Sequence, residues 1–310
     1  MAELYDIVII GGGAAGFTAG LYAARDRCKT VVIERFAAGG QVLNCEHIEN
    51  YPGFPDGVAG YSLGPTLQQQ ATQMGAEMKL AEVQSLRLDG DTKVLVTDDG
   101  EVRGRALIVA SGSSFTKLGV PGEEEFVGRG VSHCAACDGS FFMNEAVAVV
   151  GGGDAAIDEG LHLTQYAAKV TVIHRRDRLR ACQMLQDRAQ TAEKLRFRWN
   201  TVVRAIEGNE GVQSLQLEDV STGERSQLAV TGVFLYAGLT PNTQFLTGVV
   251  PLTEAGQVVT DLWMRTAVPG VCAAGDVRAD SARQLVSSAG DGATAALAAV
   301  RYLRTGEWRA

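Results

Sequence analysis

The 310-residue chain is long enough for two ordinary domains and carries a formal net charge of −8. Its composition, 46% hydrophobic and 21% charged, is typical of a globular protein and argues against disordered and fibrous classes. A negative net charge disfavours a broad basic surface, so we expect no nucleic-acid partner. The sequence contains no run of about 18 apolar residues, which predicts no membrane span.

The N-terminal segment predicts a strand, a glycine-rich turn, a helix and a second strand. Residues 6–10 are a short apolar run, and residues 11–16 read GGGAAG. An alanine-rich helix is predicted from about Ala15 to Arg25, and Thr30–Glu34 is the second strand. Because the first strand begins so close to the start of the chain, we expect no signal peptide and a cytoplasmic location.

The same order of elements returns 140 residues later. Ala146–Val150 is an apolar strand, residues 151–156 read GGGDAA, a helix runs to about Gln165, and residues 170–174 form the next strand. The repeat aligns Gly11, Gly13, Gly16 and Glu34 with Gly151, Gly153, Ala156 and His174. In this fingerprint the first glycine permits a tight turn, the second admits a pyrophosphate, and the third position lets helix pack on strand. Two copies predict an α/β protein with two Rossmann-like dinucleotide-binding domains.

The two copies differ at the residue that meets the adenosine ribose. Glu34 ends the second strand of the first copy, where a carboxylate accepts hydrogen bonds from ribose hydroxyls, as in sites for FAD or NAD. The second copy has His174 there, followed by Arg175, Arg176 and Arg180. Guanidinium groups bind a 2′-phosphate and a carboxylate repels it, so the second site is predicted to hold NADP(H).

A C-x-x-C pair, Cys134 and Cys137, lies just before the second copy and is followed directly by Asp138. Such a pair beside β-α-β units is typical of a redox dithiol, because the spacing lets the sulfurs close and open a small ring. Asp138 is the expected proton donor to the departing thiolate. Zinc binding is the alternative, but it requires two further ligands, and the sequence has no second C-x-x-C.

The C-terminal part contains a third glycine cluster. Residues 270–276 form an apolar strand that ends in Gly275 and Asp276. Arg283 and Gln284 follow, and a helix is predicted from about residue 289 to 303. A carboxylate at the end of this strand is suited to accept a hydrogen bond from a ribityl hydroxyl, with the helix N-terminus facing the flavin.

Taken together, these motifs resemble one known family over almost the whole chain. GGGAAG, GGQ (39–41), ENYPGFP (49–55), CAACDG, GGGDAA, HRRDRLR (174–180), GLTPNT (238–243) and AAGDV (273–277) occur in that order. The chain is similar to the low-molecular-weight bacterial thioredoxin reductases, and the combination of C-x-x-C-D-G with the following dinucleotide turn is the most specific part of the match.

The resemblance implies a homodimer of three-layer ββα domains, with an NADPH domain (116–245) inserted into a discontinuous FAD domain (1–115 plus 246–310). It implies that hydride passes from NADPH to FAD and on to the Cys134–Cys137 disulfide, which reduces a thioredoxin-like protein or a small disulfide. Cys137 is expected to face the flavin. The implied FAD contacts are Gly11, Gly13, Gly16, Glu34, Gly40, Gln41, Asn50, Gly275, Asp276, Arg283 and Gln284. The implied NADPH contacts are Gly151, Gly153, Asp154, His174, Arg175, Arg176 and Arg180.

Several positions depart from the family pattern: His133 stands in place of tyrosine, and threonine or serine is replaced at Cys45, Ser111 and Ala155. These departures leave two alternatives open. One is a relative that oxidises small dithiols with oxygen, which the arginine-rich segment argues against. The other is a flavoprotein reduced by another redox protein instead of NADPH.

Overall fold

The computed structural model describes residues 3–308, which form two compact units. One unit contains the chain up to Ser114 and again from Thr240, and the other is Phe115–Leu239. From the sequence we expect the chain to return to the first domain after residue 245, whereas in the structure it returns at Thr240. Residues 240–245 belong to the first unit because Asn242 is hydrogen-bonded to Ser111 and Ser114, and Phe245 packs against the core of that unit.

The strands and helices follow one another along the described chain, with long irregular connections at residues 116–130 and 247–270. The strands are β1 Leu4–Ile10, β2 Thr30–Glu34, β3 Glu77–Leu80, β4 Val83–Asp89, β5 Thr92–Thr97, β6 Gly100–Val109, β7 Ser113–Phe115, β8 Val131–Ser132, β9 Ala146–Val150, β10 Lys169–Ile173, β11 Leu195–Arg198, β12 Thr201–Gly208, β13 Val212–Asp219, β14 Arg225–Ala229, β15 Gly232–Leu235, β16 Leu239–Pro241 and β17 Val271–Ala273. The α-helices are α1 Ala14–Arg25, α2 Gly60–Gln73, α3 Ala135–Asp138, α4 Asp154–Leu163, α5 Gln183–Thr191 and α6 Leu285–Thr305.

The first unit is built on a mixed sheet with the order β3-β2-β1-β6-β5-β4, and β17 also pairs with β6. The pairs β3–β2, β2–β1, β1–β6 and β6–β17 are parallel, whereas β5 pairs antiparallel with both β6 and β4. Apolar side chains of β1 are buried on both faces, as expected for a central parallel strand. Helices α1 and α6 pack together closely, and a Cβ at Gly292 would lie 2.1 Å from the carbonyl oxygen of Ala15.

The second unit has a parallel sheet with the order β11-β10-β9-β15-β8 and a separate antiparallel sheet β12-β13-β14. Alternation along β9 serves two cores. Val147 and Val149 pack with Ile157 and Leu163 of α4. Ala148 and Val150, on the other face of the strand, pack with side chains of β12 and β13. The unit therefore has three layers, an antiparallel sheet, a parallel sheet and helices, as the sequence analysis expected.

The predicted β-α-β segments are present in both units with small differences in their bounds. Helix α6 begins at Leu285, earlier than the predicted residue 289, and Ser288 in its first turn donates a hydrogen bond to Asp276. Among residues 3–308, the helices lack the combination of length and apolar character needed to cross a membrane.

Candidate redox and dinucleotide sites

The two cysteines of the C-x-x-C motif form a disulfide at the start of the short helix α3. Their Cα atoms are 5.3 Å apart. Cys134 is the N-cap of the helix, and its Sγ accepts a hydrogen bond of 3.1 Å from the backbone N–H of Cys137. Cys137 is exposed and Cys134 is half-buried. A sulfur that receives an N–H bond at a helix N-terminus is stabilised as a thiolate after reduction.

Asp138, the expected proton donor, is held by a neighbouring hydroxyl. The Oγ of Ser132 donates a 2.7 Å hydrogen bond to Asp138 Oδ2 and accepts one of 3.1 Å from the backbone N–H of Cys134. Ser132 thus links the carboxylate to the backbone of the first cysteine. Asp138 stays partly exposed at the end of the helix that carries the disulfide.

The sequence analysis missed Glu159, a buried carboxyl group beneath the disulfide helix. Glu159 belongs to α4, is 9% exposed, and its Oε2 accepts a 2.8 Å hydrogen bond from the backbone N–H of Ala135. Burial raises the pKa of Glu159 to about 7, although hydrogen bonds from Ala135, Ala136 and Tyr236 oppose that rise. A sequence signal existed, since residue 159 is three residues after Ala156 and four before Leu163, the helical spacing of a buried face.

His133 lies next to the disulfide, and an aromatic neighbour covers it. Its ring stacks on Phe115 with a centroid separation of 5.5 Å, and burial lowers its pKa. A neutral imidazole packed in this way contributes to the wall of the site and adds no positive charge at neutral pH.

The glycine turn between β1 and α1 leaves open space where a phosphate would bind. A Cβ at Gly16 would lie 1.8 Å from the carbonyl oxygen of Gly11, and one at Gly11 would lie 2.3 Å from that of Ala110, so these two glycines serve close packing. A Cβ at Gly13, in contrast, would approach only Gly39 O, at 3.9 Å. Gly13 caps α1 without a side-chain bond, which leaves its first N–H groups directed at this space.

Glu34 holds the same turn in place. Its Oε2 accepts a 2.7 Å hydrogen bond from the N–H of Gly12, and its Oε1 accepts one of 3.0 Å from the N–H of Phe36. Each carboxylate oxygen keeps a second lone pair, so the group can still accept from a ribose hydroxyl. Glu34 is therefore both a clamp on the turn and a fitting ribose acceptor.

Other predicted flavin-site residues are brought near one another by loops of the first unit. Gly40 faces Gly13, since a Cβ on Gly40 would lie 3.3 Å from Gly13 Cα. The side-chain amide of Asn50 donates a 3.2 Å hydrogen bond to Gln284 Oε1, although 234 residues separate them. Gln41 is fixed by a 3.0 Å bond from its Nε2 to the carbonyl oxygen of Ser113.

The turn after β17 is hydrogen-bonded to Asp291, which also forms an ion pair with Arg278. Gly275 has a φ of +77°, and its N–H donates to Asp291 Oδ2 at 3.1 Å. Arg278 forms a two-bond pair with the same carboxylate, at 2.6 and 3.0 Å. Sequence reasoning missed Asp291 and Arg278, because nothing in the local pattern shows that residues 13 positions apart share a bond.

Asp276 belongs to this turn, and Arg283 lies just before α6. Burial raises the pKa of Asp276, and Ser288 donates a 3.2 Å hydrogen bond to its Oδ1. Arg283 adopts a left-handed backbone conformation, with a φ of +53°, just before α6 begins. A half-buried carboxyl group at the start of a long helix suits a ligand that brings hydroxyl donors, such as a ribityl chain.

The second glycine turn repeats the arrangement of the first. Gly151 has a φ of +154°, and a Cβ there would lie 2.6 Å from the side chain of Ala156 and 2.7 Å from Tyr236 O. Gly153 has no atom within 4 Å of an added Cβ and caps α4 without a side-chain bond. The space beside Gly153 thus corresponds to the space beside Gly13, and both fit a pyrophosphate.

His174 lies beneath this turn and differs in exposure from the arginines that follow it. It is 5% exposed, and a Cβ on Gly152 would lie 2.5 Å from its ring. Burial lowers its pKa, with further lowering from Arg180, Arg176 and Arg175. A neutral ring in this position packs against the backbone of the turn at Gly152, and its contact with a nucleotide stays a prediction.

The arginine-rich segment is anchored to the turn while its charged groups remain exposed. The N–H of Arg180 donates to Gly152 O at 2.7 Å, and Asp154 Oδ1 accepts a 2.7 Å bond from the N–H of Cys182. Arg175, Arg176 and Arg180 are all exposed. The backbone bonds hold this segment against the glycine turn, where its guanidinium groups suit a phosphate on the adenosine ribose.

Two dinucleotide turns and a C-x-x-C disulfide on one chain define the class of nucleotide-dependent disulfide oxidoreductases. Comparison with family models matches residues 5–296 to the pyridine nucleotide-disulphide oxidoreductases, and the chain belongs to that family. A thioredoxin reductase of Listeria innocua is 46% identical over 97% of this chain and 94% of its own length. One of Bacillus subtilis is 44% identical, with 97% and 95% covered. The crystal structure of Lactococcus lactis thioredoxin reductase covers 97% of this chain and 99% of that chain, with 42% identity and a TM-score of 0.95.

Proposed function

We propose that this chain is an NADPH-dependent, FAD-containing disulfide reductase whose Cys134–Cys137 pair reduces a thioredoxin-like protein. The observation that carries the proposal is the formed disulfide across α3, with Cys137 exposed, in the same unit as a glycine turn bordered by three exposed arginines. The names of the similar proteins support the choice of a thioredoxin-like protein over a small disulfide. When bound, FAD and NADPH supply the two-electron chemistry, a hydride from the nicotinamide that ends as reducing equivalents on the disulfide.

The cysteines then carry out thiol–disulfide exchange. A Cys134 thiolate attacks one sulfur of the partner disulfide and forms a mixed disulfide, and Cys137 attacks the sulfur of Cys134 and releases the partner as a dithiol. The N–H of Cys137 that bonds to Cys134 Sγ supports this order, because it stabilises a thiolate at Cys134. Asp138 delivers the proton that the departing partner thiolate requires, and Ser132 keeps its carboxylate in place.

The remaining predicted residues bind and orient the cofactors. In the first unit, Gly13 and Gly40 leave room for the FAD pyrophosphate, Glu34 accepts from the adenosine ribose, and Asp276 accepts from the ribityl chain. In the second unit, Gly153 leaves room for the NADPH pyrophosphate, and Arg175, Arg176 and Arg180 bind the 2′-phosphate. The proposal places the enzyme in the cytoplasm as a homodimer.

The test is anaerobic mixing of the purified protein with one equivalent of NADPH or, separately, NADH, followed by flavin absorbance. Prompt bleaching with NADPH and little with NADH is expected. No bleaching with either nucleotide would overturn the proposal and favour a dithiol oxidase or a protein electron donor. As a control for the route through the disulfide, Cys134→Ser and Cys137→Ser should retain bleaching while losing disulfide reduction, and Cys137→Ser should trap the mixed disulfide.

A further inference from the structure

Glu159 is a buried, ionisable group that the proposed reaction does not use. Its carboxylate oxygen lies 2.8 Å from the backbone nitrogen of Ala135, and that nitrogen belongs to the peptide bond that follows Cys134. The Glu159 carboxyl group therefore contacts the residue that directly follows the first cysteine. Ala135 is fully buried, and so is most of the Glu159 side chain, which leaves little water between the carboxyl group and the disulfide helix.

The charges and polar groups around Glu159 come from four elements. On α4, Asp158 is an exposed acid that raises the pKa of Glu159. The Tyr236 hydroxyl, after β15, hydrogen-bonds to Glu159 and lowers its pKa. On α3, Asp138 is bonded to Ser132, and after β8 the pKa of His133 is lowered by burial, so that this ring stays neutral.

We infer that Glu159 is a positioning residue for the redox cysteines, whose ionisation sets the pKa of the thiols formed when the disulfide is reduced. The inference rests on the redox role proposed above for Cys134 and Cys137. The short helix favours a thiolate at Cys134, because the N–H of Cys137 donates a hydrogen bond to its Sγ. An ionised Glu159 at the same end opposes that effect, because a buried negative charge disfavours a second one nearby.

The coupling also runs in the opposite direction. Two-electron reduction of the disulfide with uptake of one proton gives a thiol and a thiolate. The new negative charge favours the protonated form of Glu159, so the fraction of its carboxyl group that is ionised near pH 7 takes up protons from solvent. Reduction at neutral pH thus takes up more than one proton, one on the thiol and a further fraction divided between the thiolate and Glu159.

The variant Glu159→Gln separates charge from hydrogen bonding, because the amide oxygen can still accept from the Ala135 N–H. The FAD-containing protein is reduced with dithiothreitol, desalted anaerobically and alkylated with iodoacetamide across pH, with mass spectrometry reporting on both cysteines. The midpoint of the alkylation rate should fall by about one pH unit, the lower end of what a neighbouring charge produces. Glu145→Gln is the matched control, since Glu145 is exposed and precedes β9 in the same unit, and its midpoint should equal that of wild type.

A midpoint for Glu159→Gln equal to that of wild type would overturn the inference, because a purely structural carboxyl group would leave thiol ionisation unchanged. Should this variant fail to fold, the wild-type protein supplies the second test. Its reduced-minus-oxidised infrared spectrum, recorded near pH 7 with carbon-13-labelled glutamate, should gain a protonated glutamate band, and the lack of such a band would also refute the inference. Dithiothreitol bypasses the nicotinamide cofactor, so either result is separable from the outcome of the NADPH test.

Discussion

At the scale of single residues, the buried carboxyl group of Glu159 gives a prediction for stability. Its pKa of about 7 in the folded protein lies above the ordinary glutamate value of 4.5. The stability associated with the protonated form is fully present below about pH 4.5 and is lost as pH rises through 7. The upper limit of this loss is about 3 kcal/mol, because each pKa unit corresponds to about 1.36 kcal/mol.

Glu159→Gln lacks this titration, so its Tm relative to wild type should rise as the pH is raised from about 5 to about 8. The measurement is the thermal unfolding of both oxidised proteins across that range, with Glu145→Gln as the exposed control. A constant difference in Tm between wild type and Glu159→Gln would show that the folded-state pKa is not raised.

Some residue roles follow from the nearby sequence, and others depend on residues that are distant in the sequence. The Cys134–Cys137 disulfide was predictable, because its chemistry follows from residue type and spacing within a few positions, and the roles of Asp138 and the arginines stay predictions of the same local kind. The second role of Glu34, as a clamp on Gly12, follows from the tight turn but cannot be read from the residue alone. The Arg278–Asp291 pair depends on how a loop folds back on a helix, which leaves no local mark in the sequence.

At the scale of elements, the second glycine turn separates packing from binding at adjacent positions. Gly152→Ala places a Cβ 2.5 Å from the buried ring of His174, so the ring or the turn must shift. The expected loss of stability is about 1–3 kcal/mol, as for other overpacked sites. Gly153→Ala meets no atom within 4 Å, and its φ of −97° suits alanine, so its stability should match wild type.

For NADPH binding, we expect Gly153→Ala to be the more damaging of the two substitutions. The Cβ of Gly153→Ala occupies the space proposed for the pyrophosphate, so NADPH affinity should fall by about tenfold or more, equivalent to about 1.4 kcal/mol. Thermal unfolding and NADPH titration of both variants check these expectations. If Gly153→Ala bound NADPH as tightly as wild type, the pyrophosphate would have to lie elsewhere.

Strands and helices were predictable where a short stretch of sequence carries their hydrophobic pattern. The β-α-β units appear in the sequence as apolar runs joined by glycine turns, and the structure has them within a few residues. The antiparallel strands β12–β14 were not identified individually. Their alternation is weak, since β14 has only one side chain that is not exposed, and strand pairing is a tertiary property.

At the scale of the whole molecule, each unit contains its own hydrophobic cores. Two hydrophobic clusters are made entirely from residues of the first unit, and two others entirely from residues of the second. The ends of the second unit lie side by side, because the N–H of Thr116 donates a 2.9 Å bond to Gly238 O. In the first unit, Asn242 bonds to both Ser111 and Ser114, which brings its two chain segments together.

We therefore expect the segment 115–239, expressed alone, to fold cooperatively and to bind NADPH but not FAD. Saturating NADPH at about 100 times its Kd should stabilise the segment by about 2.7 kcal/mol, whereas NADH should have little effect because it lacks the 2′-phosphate. The measurement is thermal unfolding with each nucleotide, and the control is the same segment with Arg175, Arg176 and Arg180 replaced by alanine. If the segment folds but NADPH and NADH stabilise it equally, the arginines do not bind the 2′-phosphate. If it fails to fold, the two clusters of the second unit are insufficient without the rest of the chain.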